Sequence, residues 1–218
     1  EPIRGFGAVA GVYEEACQIV VRADSEISTV EELEGHRVSI GEEESGTKQN
    51  ALQILAAYGL NEKLVEEVSL NYTEAAKELE NGTIDAFFCT AGVQTAAITN
   101  LAQRTGIRFL NVDNAAAARL KKSYPVYDSC IIAAGTYPGQ EEDVSTVGVK
   151  AVLLASDSVS AEVVEELTAL LFEEQQELDF ALPVELITEA DAAADGLPVP
   201  FHKGAERYYE SRGEKSEN

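Results

Sequence analysis

Short apolar runs alternate with amphipathic stretches from Cys17 to Ser123. Cys17-Gln18-Ile19-Val20-Val21 reads as a buried strand. Ser28 or Thr29 opens a helical turn over Val30 to Leu33, which Gly35 ends. Arg37 to Gly41 is the next strand, closing on a glycine. Ser45-Gly46-Thr47 then opens a helix with Ala51, Leu52, Leu55 and Tyr58 on one face, and Gly59 stands where a left-handed C-terminal residue belongs. Val65 to Leu70 returns as a strand, Thr73 caps a helix to Asn81, and Gly82 stops it. Ile84 to Phe88 is a strand, Gln94 to Arg104 a helix, and Ile107 to Val112 another strand. Asp113 caps a short helix whose last turn carries Arg119, Lys121 and Lys122, which suits the helix dipole. Tyr124-Pro125 ends it, because the residue before a proline avoids the helical region. Strand and helix alternating four times from Arg37 to Ser123 predict a parallel, doubly wound α/β lobe.

The remainder has a different rhythm. Ser129 to Ala133 and Thr146 to Leu154 read as strands separated by the turn-rich Ala134-Gly135-Thr136-Tyr137-Pro138-Gly139. Ser160 caps a long helix with Val163, Val164, Leu167, Leu170, Leu171 and Leu178 at core spacing. Pro183 is expected to begin a further helix that Gly196-Leu197-Pro198 ends. Lys203 to Arg212 forms a terminal helix, and Gly213 onward a polar tail. This region has one broad apolar helix and few strands, so it needs a sheet that the chain barely supplies.

Composition narrows the class. The chain has 218 residues, 16 Lys and Arg against 39 Asp and Glu, and a formal net charge of −23. That field repels phosphate backbones and anionic headgroups, so no nucleic-acid partner and no membrane-surface partner is expected. No apolar run reaches bilayer-spanning length. Cys17 and Cys89 sit in apolar stretches, as free cysteines that pack as small hydrophobes do, and nothing sets the redox state of these two or of Cys130. His36 and His202 are far apart, and no Cys/His cluster has metal-ligand spacing, so neither metal nor cofactor is expected. With no methionine in the chain, Glu1 is not an initiator, and a preceding segment is expected in the gene.

In open α/β sheets, ligands sit beyond the carboxyl ends of strands, on turns that lead into helices. The first such turn is Gly41 to Thr47, where Ser45, Gly46 and Thr47 combine hydroxyls with free N–H groups at a helix start, a carboxylate- or phosphate-binding arrangement. Helix capping beside a turn glycine accounts for the same residues, and Glu42 to Glu44 suit an anion site only if they face solvent. The second turn is Cys89 to Thr95, where Thr90, Gln94 and Thr95 offer hydrogen bonds around Gly92. A third, Gly135-Thr136-Tyr137, adds an aromatic wall and one hydroxyl. Together they point to a polar small-molecule cleft. Catalysis has no foothold: there is no Gly-x-Ser-x-Gly elbow, no lysine-bearing phosphate loop, no dinucleotide fingerprint and no metal motif.

Several stretches together resemble the TAXI solute receptors of tripartite ATP-independent periplasmic (TRAP) transporters. These are Val12-Tyr13, Gln18 to Ser25, Val30 to Gly41, Ser45-Gly46-Thr47, Gln53 to Leu60, Gly82 to Phe88, Ala134 to Tyr137 and Pro200 to Tyr209. They follow in family order over almost all of residues 4–213, and the His-x-Gly-Ala-x-x-Tyr-Tyr run is the most specific. The resemblance implies an α/β, periplasmic-binding-protein-like fold of class II with two lobes. Residues 1–27 would hold the crossover strand and part of lobe one, 28–127 a complete lobe two, 128–213 the hinge return and C-terminal half of lobe one, and 214–218 a tail. Lobe one is then incomplete, and the apolar face from Val163 to Leu178 is expected to be covered by a missing segment, another chain or self-association.

The resemblance further implies a non-enzymatic extracytoplasmic receptor. Its ligand would be a small carboxylate or amino acid such as glutamate or glutamine, and its partners the TRAP membrane subunits. The location implied is periplasmic or extracellular, with or without a lipid anchor. Ser45, Gly46 and Thr47 would hold the ligand carboxylate, Thr90 and Gly92 would stand opposite, and Tyr13 and Tyr137 would wall the cleft. Gln94 replaces a family proline, and His202 is read as structural. Two alternatives share the scaffold: an intracellular effector-binding module of a regulator, and a prephenate-dehydratase-like lyase. The lyase's Thr-Arg-x-Phe run is absent, with Arg104-Thr105 in reverse order.

Overall fold

A computed structural model describes residues 4–173 and 186–216, so the expectations at Leu178 and Pro183 lie outside the described residues. The strands are β1 (Phe6–Arg22), β2 (Arg37–Ser39), β3 (Glu66–Val68), β4 (Ala86–Ala91), β5 (Ile107–Phe109), β6 (Asp128–Ile132) and β7 (Val144–Ser156). The helices are α1 (Gly46–Ala57), α2 (Tyr72–Asn81), α3 (Ala96–Thr105), α4 (Asn114–Ser123), α5 (Ala161–Glu173), the short α6 (Ala190–Ala194) and α7 (Lys203–Ser216), with a 3-10 turn at Glu31–Leu33. The chain divides into two compact units: Glu15–Val149, and Glu1–Glu14 together with Lys150–Asn218.

In the continuous unit, β2 pairs in parallel with β3 and β4, while β1 pairs antiparallel with β4 through Ala16↔Ala91 to Val21↔Ala86. β1 also pairs antiparallel with β5 through Val20↔Phe109 to Arg22↔Ile107. The four strands of the repeated units therefore share one direction, but the expected all-parallel sheet is interrupted: β1 runs the other way between β4 and β5. Sequence periodicity cannot reveal such an insertion, because β1 precedes the repeat and reads as an ordinary buried run. This unit runs from Glu15 to Val149, since the second half of β1 joins its sheet and β6 pairs with the first part of β7.

Both sheet faces are covered, which explains the unbroken apolar runs. Cys17, Ile19, Val21, Ala86 and Phe88 face the core shared with Ile54, Leu55 and Leu120 of α1 and α4. Their neighbours Ala16, Val20, Phe87 and Cys89 face the core shared with Leu79, Ile98 and Leu101 of α2 and α3. Capping follows local chemistry. Asp113 accepts from the Ala115 and Ala116 amides as expected. The cap of α2 is Asn71 rather than Thr73, because Glu74 reaches back to the Asn71 amide and completes a reciprocal capping box.

The discontinuous unit is built on α5 and α7. Gly204 allows their approach: a Cβ there would stand 2.3 Å from the Ala161 carbonyl oxygen and 2.7 Å from the Glu165 nitrogen. His202 is buried, its amide donates to Ala8 O at 2.9 Å, and its Nδ1 accepts from the Gly204 amide at 3.2 Å. Tyr209 donates to Val9 O at 2.9 Å. The His-x-Gly-Ala-x-x-Tyr-Tyr run thus seats α7 against β1 and α5. α7 continues to Ser216, past the position where a polar tail was expected. Val164 is buried, but Val163, Leu167 and Leu170 on α5 are 55%, 40% and 47% exposed, with Leu154 and Val159 exposed as well.

Candidate functional site

β2 and β4 are neighbours, so the turns leaving their carboxyl ends lie side by side. In the first, Gly41 adopts φ +96°, and a Cβ there would meet Thr47 Cγ2 at 2.9 Å. Glycine is what lets the chain turn tightly over the start of α1. Ser45 caps the helix, accepting from the Lys48 amide at 3.1 Å, which leaves the first-turn amides of Gly46 and Thr47 without intrahelical partners. Glu42, Glu43 and Glu44 are exposed. Glu43 is bound by Lys48 at 2.6 Å and Ser69 at 2.8 Å, which hold its carboxyl below the usual range.

The second turn contains Gly92 and Gln94. Among the described residues, Glu44 and Gln94 are the non-glycine residues with positive φ, +61° and +62°. One lies in each turn. Left-handed backbone at non-glycine residues concentrates where a site constrains the chain.

Behind the turns is a layer of satisfied polar groups. Tyr72 OH donates to Thr90 O at 2.8 Å, so the 2.5 Å contact between Tyr72 OH and Thr47 Oγ1 is donated by Thr47. Thr47 Oγ1 in turn accepts from the Thr90 amide at 3.4 Å. Asn50 Nδ2 donates to Thr90 Oγ1 at 3.3 Å, and Tyr127 OH lies 2.9 Å from Asn50 Oδ1 and 2.6 Å from Gln53 Oε1. Burial pushes the Tyr72 phenol up to about 12 and also raises Tyr127. The Cys89 thiol is pushed up to about 12 by the same cause, so it is an inert packing group.

The eight expected site residues thereby separate. Ser45, Gly46, Gly92 and Gln94 are on the accessible side of the two turns. Thr47 and Thr90 are buried in the supporting layer. Tyr137 is also buried, 1% exposed, and so stands behind the second turn rather than walling a cleft. Tyr13 belongs to the other unit, where it bridges to Leu186 in antiparallel pairing. Among the described residues, no three His, Cys, Asp or Glu side chains form a group able to hold a metal ion. No described helix is long and apolar enough to cross a membrane.

The model of the NMT1-like family matches residues 1–213. The chain belongs to the NMT1-like family. Among solved structures, the NMT1-like chain is similar to a TctC solute binding protein from Polaromonas, with TM-score 0.55 and 17% identity, covering 96% of this chain and 70% of that one. It also matches the periplasmic aliphatic sulphonate binding protein SsuA from Escherichia coli, with TM-score 0.47, 18% identity and coverages of 95% and 65%. A substrate binding protein of an amino acid ABC transporter matches with TM-score 0.42, 18% identity and coverages of 78% and 61%. The chain thus spans less than two thirds of the length of the last two. The shared fold is the α/β fold of periplasmic binding proteins.

Within this NMT1-like chain, the Gln94 backbone explains a departure from the resemblance. A proline is locked near φ −65° and cannot adopt +62°, so the turn here has a different backbone from a proline-bearing one. Sequence reading missed Gln18, Asn50, Tyr72 and Tyr127. The one available signal was Gln18 itself, a carboxamide in the middle of an apolar run.

Proposed function

We propose that this chain is the ligand-binding part of an extracytoplasmic solute receptor of TAXI type, which passes a small carboxylate or amino acid to TRAP membrane subunits. The observation that carries the reading is the pair of adjacent turns after β2 and β4. They bring amides at the start of α1 beside Gly92 and Gln94, over a buried polar layer whose members hydrogen-bond to one another. Helix-start amides are suited to a carboxylate oxygen. Membership of the NMT1-like family and the binding-protein fold support it. In this reading, residues 15–149 are lobe two, the remaining residues are part of lobe one, and the protein works outside the cytoplasm.

Calorimetric titration of the purified chain and of the full-length gene product, with L-glutamate, L-glutamine, succinate and a neutral sugar, tests the reading. At least one carboxylate is expected to bind the full-length protein and the sugar to leave it unaffected. A full-length protein that takes up the sugar but none of the carboxylates would overturn it. Proteoliposomes holding the TRAP subunits are expected to transport the bound solute only when the receptor is added.

A further inference from the structure

The buried pair Gln18 and Tyr137 closes a hydrogen-bonded cycle on the turn after β4. The Thr95 amide donates to Tyr137 OH at 3.1 Å. An amide N–H can only donate, so the single proton of Tyr137 is left for Gln18 Oε1, with which it is hydrogen-bonded. That contact fixes the carboxamide: Gln18 Nε2 faces Ala91 O and Thr95 Oγ1, both at 3.5 Å. The Thr95 hydroxyl proton is then directed to Gly92 O at 2.9 Å. Each donor is used in one sense, and the cycle returns to the residue where it began.

The consequence lies on the opposite side of the turn. No peptide bond here is cis, and in a trans peptide the N–H points away from the preceding C=O. With the Ala91 and Gly92 carbonyls drawn toward the cycle, the Gly92 and Val93 amides turn the other way, on residues that are half-buried. Two successive N–H groups facing one side form a concavity for an oxyanion. We infer that Gln18 and Tyr137 are positioning residues, which set the Gly92 and Val93 amides as paired donors to an oxygen of the bound ligand. The inference rests on the receptor reading above for the turn's contact with ligand. Gln18 is 0% exposed and Tyr137 1%, so neither touches the ligand itself. The ring of Tyr137 is set by Phe109, with centroids 5.2 Å apart, and its backbone by Gln140.

The test compares Tyr137→Phe with Leu120→Ala in the full chain. Two readouts are used: amide exchange by NMR, and affinity for L-glutamate and L-glutamine. Tyr137→Phe is expected to accelerate exchange at Thr95 about tenfold or more and to weaken a probe that binds the wild type about tenfold or more, the loss of one hydrogen bond. Leu120→Ala, which opens a cavity in the core on the other face of the sheet and touches no member of the cycle, is expected to lower the melting temperature and leave both readouts unchanged. Unaltered Thr95 protection in Tyr137→Phe, or unaltered affinity where the wild type binds, would overturn the inference. A wild type that binds neither probe counts against the receptor reading alone, because Thr95 exchange still decides whether the cycle holds the turn.

Discussion

Thr47 has one hydroxyl proton and gives it to Tyr72, while its oxygen receives the Thr90 amide. Removing that hydroxyl strands a buried N–H and takes away the phenol's donor. Thr47→Ala is therefore expected to lower the free energy of unfolding by about 1–3 kcal/mol, whatever it does to ligand affinity. Thr47→Ser, which keeps the oxygen, should stay near wild type, and urea denaturation of the two variants measures the difference. The accessible part of the first turn then consists of backbone amides and Ser45, not of the Thr47 side chain.

Among the elements, α5 and α7 meet where Gly204 leaves no room for a side chain. Gly204→Ala is expected to destabilise the chain by about 1–3 kcal/mol, since the Cβ must push a helix backbone aside. Chemical denaturation monitored by circular dichroism will show it as a lower midpoint. The same element scale shows what the chain's pattern revealed. Strands at Arg37 and Ile84 and helices capped at Ser45 and Asp113 follow from local chemistry, and they appear within a few residues of expectation. The antiparallel β1 between β4 and β5 was hidden, because pairing partners 65 or more residues away leave no mark on local periodicity. Of the candidate site, the two turns were legible from Gly-Ser-Thr chemistry. Which hydroxyls face inward was not, because that depends on Tyr72 and Gln18, residues from other elements.

For the whole molecule, the buried thiol and phenol set an alkaline limit. Cys89 rises from 9.0 and Tyr72 from 10.0, each to about 12 in the folded chain. At neutral pH and below, both groups are protonated in both states and contribute no slope. At alkaline pH the unfolded chain releases these protons while the folded chain keeps them, so stability declines as pH rises from about 9 toward 12. Melting temperatures measured from about pH 8 to 11 should fall along that interval, and a flat profile would contradict the burial of both groups.

The division of the chain also sets an order of events. Glu1–Glu14 belong with Lys150–Asn218, and the whole of Glu15–Val149 is interposed. During synthesis the first half of β1 leaves the ribosome long before α5 and α7, against which Val9 packs, have been made. The interposed unit has its own two-faced core and is complete by Val149, so it can fold while translation continues. The apolar first half of β1 therefore meets its partners on α5 and α7 only after the whole of the interposed unit has been made.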